Sequence, residues 1–211
     1  MLYEGNKGTT TAASVTITVA GGTISNAIYA RGQADGDSVT GTANVIFTGA
    51  ENFGCGVYGY SYVGGAASDA VLSFTGYTGT FAGKVGGFDG IVFDEGTAAT
   101  FGSAAADIDN TAWEFDFTDR AEALAGTSFL TWSAADFAGD TVKVTFADEA
   151  QAKAGWSIAT ADFTDATFGL TAGGVELTGI AYNTAISGTG TVYDGWGFTL
   201  EESVLKFKQL A

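Results

Sequence analysis

The sequence predicts an all-β chain wound as a parallel β-solenoid, and three observations carry that prediction. Short strand-like runs recur with hardly any helical pattern. Glycine, present 32 times, punctuates them, while proline is absent. Apolar markers also return at a nearly constant interval. Val19, Phe47 and Phe74 are 28 and 27 residues apart, and Ile28, Val57 and Val85 are 29 and 28 apart. Two independent markers on one beat point to a repeating supersecondary unit that buries its inner face only by stacking on its neighbours. An antiparallel β-sandwich is the alternative, since frequent short strands with Gly and Asp turns suit it too. Sandwich strands, however, need no match at this interval.

The runs in chain order are SVTITV from Ser14, ANVIF from Ala43, VLSF from Val71, GIVF from Gly90, WEFDF from Trp113, TVKVTF from Thr141, GWGFTL from Gly195 and VLKFK from Val204. They are rich in Val, Ile, Phe and Thr, and several alternate apolar with polar residues, as half-buried strands do. Windings of about 26–29 residues follow. In the second half, FDFTD (115–119) matches VTFAD (144–148), and the stretch from Trp132 to Val142 matches that from Trp156 to Phe168. Two short helical pieces are expected, over 119–126 and 147–155, the second with Asp148 and Gly155 as cap residues. The chain is read as one domain, 1–211. It has regular windings over 14–112, windings with short helical excursions over 113–168, and terminal windings with a cap over 169–211. Lys206 and Lys208 alternate with apolar residues, a pattern that blunts an exposed strand edge. The N-terminal end shows no comparable cap and is read either as open or as once joined to further windings.

In this reading glycines turn the corners with positive φ, and aromatics between them form ladders along the axis. The 16 Phe, 8 Tyr and 4 Trp supply enough apolar surface for an ordered core, unlike a glycine-rich disordered chain.

The repeats TITVAGGTISNAIYARG, VIFTGAENFGCGVYGY and LSFTGYTGTFAGKVGG resemble the glycine-rich β-helical passenger domains of bacterial autotransporter adhesins and related surface proteins. The resemblance spans about Ser14 to Gly102, and GWGFTLEESVLKFKQL is similar to the closing strands of such repeat regions. It implies a right-handed parallel β-helix, export to the cell surface or medium, and a role in adhesion or surface structure. No membrane-barrel translocator follows Ala211, so the chain is expected to be a piece of such a protein or to reach the surface by another route. The N-terminus shows no basic-then-apolar leader, and no run is long enough to span a membrane as a helix.

Charge and composition narrow the function. A formal net charge of −16 repels phosphate backbones and anionic lipids, so neither nucleic acid nor membrane insertion is expected. The chain has no histidine, which removes Ser-His-Asp systems, HExxH zinc sites and imidazole bases. Cys55 stands alone between two glycines and reads as a small buried hydrophobe. No catalytic residue is assigned, and the expected function is non-enzymatic display on an adhesin-like or structural rod. Its partner would be a host or neighbouring-cell surface protein or glycan. A head-to-tail filament or surface-layer subunit joined through open ends is a second reading, and a polysaccharide-active enzyme on the same scaffold a third.

Three sets of residues are candidates for binding. Tyr58, Tyr60 and Tyr62 alternate, so they point to one side of a strand, either as a contact strip or as a ladder packed on the next winding. Asp35 with Asp37 and Asp107 with Asp109 could hold a structural calcium ion through hard oxygen ligands, no other cofactor being expected. The same pairs, with Asp116 and Asp119, could serve glycoside hydrolysis, or simply occupy turns. Arg31, Lys84, Arg120, Lys143 and Lys153 are too scattered in sequence to predict a basic groove.

Overall fold

A computed structural model describes residues 2–3, 14–31, 41–60, 69–94, 96–101, 111–119, 128–132, 137–188 and 190–210. In chain order its elements are β1 (Leu2–Tyr3), β2 (Val15–Val19), β3 (Ile28–Tyr29), β4 (Ala43–Thr48), β5 (Val57–Tyr58), β6 (Ala70–Thr75), β7 (Thr80–Phe81), β8 (Val85–Gly86), β9 (Gly90–Phe93), β10 (Ala99–Phe101), β11 (Ala112–Asp116), β12 (Leu130–Trp132), β13 (Thr141–Phe146), α1 (Glu149–Ala152), β14 (Ala159–Thr160), β15 (Thr167–Ala172), β16 (Val175–Ala181), β17 (Trp196–Glu201) and β18 (Val204–Gln209).

The main sheet runs β2-β4-β6-β9-β11-β13-β15, every neighbouring pair parallel, and closes with β16 antiparallel on β15. A six-stranded sheet, β7-β10-β12-β14-β18-β17, and a four-stranded sheet, β1-β3-β5-β8, form the other faces. A single winding therefore visits more than one sheet: β6, β7 and β8 belong to three. This is a β-solenoid. The sandwich alternative fails because, among the described strands, antiparallel pairs occur only among β14 to β18.

The two markers fall where the interval placed them. Val19 pairs with Phe47 and Phe47 with Phe74, while Ile28 pairs with Val57 and Val57 with Val85. The interval itself needs correction. Along Phe74, Phe93, Phe115, Val144 and Leu170 the steps are 19, 22, 29 and 26 residues. The short step arises because residues 87–89 alone connect β8 to β9, whereas 59–69 connect β5 to β6. A solenoid fixes the strand register, not the length of a corner. The pairing of Trp132 with Trp156 also fails. Trp132 lies on β12, while Trp156 precedes β14 and packs on Phe117, 4.6 Å between ring centroids. Phe137 and Phe163 do meet, at 3.9 Å.

Side chains alternate in and out along each main strand, as a pleat requires. Phe47, Phe74, Phe93 and Phe115 stack inside, with successive centroids 5.7, 5.3 and 5.2 Å apart and ring planes within 20°. From the six-stranded sheet, Phe81, Phe101 and Trp132 form a second column in register. The columns meet edge to face, for example Phe74 with Phe101 at 5.5 Å and 80°, a favoured aromatic geometry.

The corner glycines behave as expected at Gly49 and Gly76, which follow β4 and β6 with φ of +82° and +58°. Carboxylates serve the corners too. Asp89 accepts from the Ala70 amide, one winding back, at 2.9 Å.

The second helical piece is α1, four residues long, with Asp148 accepting from the Gln151 amide. The first, 119–126, lies almost wholly outside the described residues. Gly173 and Gly174, both at positive φ, turn β15 back into β16, and a second hairpin, β17–β18, pairs with β14. These reversals end the parallel stacking. Lys206 and Lys208 do not guard an edge: β18 lies between β17 and β14, and both ammonium groups bind Glu201 at 3.0 Å. Those contacts hold the Glu201 carboxyl below its usual range. At the other end Ile17 and Val19 are only 5% exposed.

Candidate binding surface

The four-stranded sheet sets its tyrosines from the register upward. Ile28 and Val57 are fully buried and pair with each other, so their successors Tyr29 and Tyr58 point to the outer face and pair in turn. Their rings stack at 5.1 Å and 23°. Tyr60, two residues beyond Tyr58, lies on the same side and stacks on it at 5.1 Å and 29°, with Tyr29 at 6.2 Å. All three are half-buried. Tyr62 lies outside the described residues.

The pairing of tyrosine with glycine now has a physical reason. A side chain at Gly87, which has φ of +66°, would occupy the space of the Tyr60 ring, and one at Gly59 would collide with the Gly87 carbonyl. Glycines on one winding make the seat for aromatic rings on another.

Because the rings face one another, their flat faces are largely consumed within the ladder. The ladder reading of the alternating tyrosines holds for Tyr58, which packs on Tyr29 of the preceding winding. Sequence reasoning missed Tyr29, although "IY" at 28–29 and "VY" at 57–58 stand 29 residues apart. The register also sets Tyr3 beside Tyr29.

The calcium candidates Asp35, Asp37, Asp107 and Asp109 lie outside the described residues. Of the remaining pair, Asp116 accepts from the Thr118 amide and hydroxyl at 2.8 and 2.7 Å, a local turn. Sequence reasoning did not single out Asp140. It is 1% exposed and accepts from the Thr111 amide at 2.8 Å and the Trp113 indole at 2.7 Å. Both oxygens are engaged in holding adjacent windings together. Cys55 is buried, which pushes its thiol up. Tyr77 is fully buried, donates to the Glu51 carbonyl at 2.9 Å, and has its pKa pushed up to about 12, chiefly by desolvation.

No protein-family model, curated protein or solved structure matches this chain.

Proposed function

We propose that this protein is a non-enzymatic, adhesin-like display rod, secreted or held at a bacterial cell surface, which meets its partner through the outer face of the four-stranded sheet. The observation that carries this reading is the ladder of Tyr29, Tyr58 and Tyr60, three half-buried aromatic residues kept on an outer face. Tyrosine supplies large contact area at low entropic cost. A stack of windings holds such a column stiffly, because every strand is hydrogen-bonded on its neighbours. The test is attachment of beads coated with the protein to bacterial and host cells. Tyr58→Ala with Tyr60→Ala should lower attachment at least about tenfold, the scale of a central aromatic contact, in protein whose circular dichroism shows that the sheets are still folded. Attachment equal to the parent's would overturn the reading.

Self-association through the N-terminal end is the second reading. It rests on β2, which pairs on one side only among the described strands and carries no charge or proline to protect its edge. Sedimentation over a hundredfold concentration range checks it, since edge-joined chains grow in mass and a rod does not.

A further inference from the structure

Among the described strands the main sheet has two outermost members, β2 at one end and β16 at the other. β16 runs antiparallel to β15, so a strand added antiparallel to β16 runs in the direction of β15. If that strand is β2 of a second copy, the copy takes the orientation of the first and the parallel stack resumes.

The backbone groups of the two edges match. The Val15 amide donates to the Thr42 carbonyl, and bonding residues alternate along a parallel ladder. Val15, Ile17 and Val19 therefore direct their groups to β4, while Thr16 and Thr18 turn theirs outward. On β16 the two-residue turn Gly173–Gly174, both at positive φ, makes Ala172 and Val175 a hydrogen-bonded pair. Val175 and Leu177 thus direct their groups to β15, while Glu176 and Thr178 turn theirs outward. Among the described residues no backbone hydrogen bond outside the strand ladders takes the amides of Thr16, Thr18, Glu176 or Thr178.

The side chains match in the same register. Val175 and Leu177 pair with the buried Ala172 and Leu170, so they face inward, yet both are only half-buried. Setting Val19 opposite Val175 puts Thr18 opposite Glu176, Ile17 opposite Leu177 and Thr16 opposite Thr178. Apolar inner side chains then meet, and Thr18 and Thr16 exchange hydrogen bonds with Glu176 and Thr178. Had the outward groups of either strand belonged to inward-facing residues, no register would serve both. Val15 falls opposite Gly179, where a Cβ would meet nothing within 4 Å. There a groove of about 320 Å³ lies between Leu177–Ala181 and Thr184–Ser187. Charge agrees too. β2 carries none and β16 only Glu176, so this contact adds little to the repulsion between copies of net charge −16.

We infer that β2 of one copy adds to the free edge of β16 on the next and extends the main sheet head to tail. This rests on the self-association reading above and names the surface that receives the N-terminal strand. Such a contact joins two different surfaces, so it leaves an open end at every step.

The experiment follows mass by sedimentation at raised salt, which screens the repulsion. Thr18→Pro and Glu176→Pro each delete an outward amide and spare the ladder, as edge strands allow. Either variant alone should need at least about tenfold more protein than the parent to grow. An equal mixture of the two should stop at dimers, because each supplies the edge that the other lacks. A second measurement does not depend on proline. Thr18→Cys and Glu176→Cys, mixed as single variants and oxidised, should form heterodimers, since the register sets these positions about 5.5 Å apart, a span that suits a disulfide. Thr18→Cys mixed with Lys143→Cys should not. Absence of the first cross-link, or a proline mixture that grows past dimers, would overturn the pairing. Growth lost in Thr18→Pro but equal to the parent's in Glu176→Pro would keep self-association and discard β16 as its partner. A parent that stays monomeric at every concentration overturns both.

Discussion

Asp140 accepts a hydrogen bond of 2.7 Å from the indole nitrogen of Trp113, a residue 27 positions earlier and on the adjacent main strand. Its other oxygen accepts from the Thr111 amide. A carboxylate at a corner thus ties one winding to the last through a side chain and through the backbone. Asp140→Asn puts an amide group against one of these donors, leaving a buried group unmet at a cost of about 1–3 kcal/mol. Trp113→Phe removes the indole donor and also shrinks a buried ring, which adds a cavity cost of its own. Urea unfolding of both single variants and the double variant should show coupling, because the residues share one network.

The phenylalanine column predicts a steep cost at its centre. Phe93 is fully buried and stacks on Phe74 and Phe115 from either side at 5.3 and 5.2 Å. Phe93→Ala should destabilise by about 3–5 kcal/mol. Calorimetry checks this, and a loss below 1 kcal/mol would deny the column its role.

Two neighbouring glycines should respond oppositely to alanine. A Cβ at Gly83 would run into the Cys55 carbonyl of the preceding winding, whereas one at Gly54 meets nothing within 4 Å. Gly83→Ala should therefore lower stability by about 1–3 kcal/mol or more. Gly54→Ala should be neutral or slightly stabilising, since alanine restricts the unfolded chain. Paired denaturation curves decide it.

Tyr77 makes stability fall in alkali. Its pKa is pushed from 10.0 up to about 12, so the folded state holds this proton where the unfolded state has released it. The contribution is complete below pH 10 and is lost as pH rises toward 12, with the unfolded state binding fewer protons across that window. Urea midpoints measured from pH 9 to 12 should decline less in Tyr77→Phe than in the parent. Ultraviolet titration of the folded protein should show a phenol ionising late.

Much of the fold is legible in the residues themselves. Val19, Phe47 and Phe74 keep their interval because each must fill the same place in the core, and the strand register preserves that place. The interval misleads where corners differ in length, as between Gly86 and Gly90. A corner on the surface imposes no packing that would hold its residue count. Trp132 and Trp156 look equivalent for the same reason: identity matched them across a corner of different length. The tyrosines were visible as an alternating set, but Tyr29 belongs to it only through pairing with Tyr58.

Periodicity, alternation and the wealth of glycine determined, from the sequence alone, that strands stack in parallel about one axis and which residues face inward. These are local properties repeated, so any window of the chain reveals them. Only the tertiary structure decided that Asp140 reaches Trp113, and that Tyr29 stacks on Tyr58. Such neighbours lie one winding apart, and the distance in sequence that equals one winding is set by corner loops whose lengths no packing constraint records.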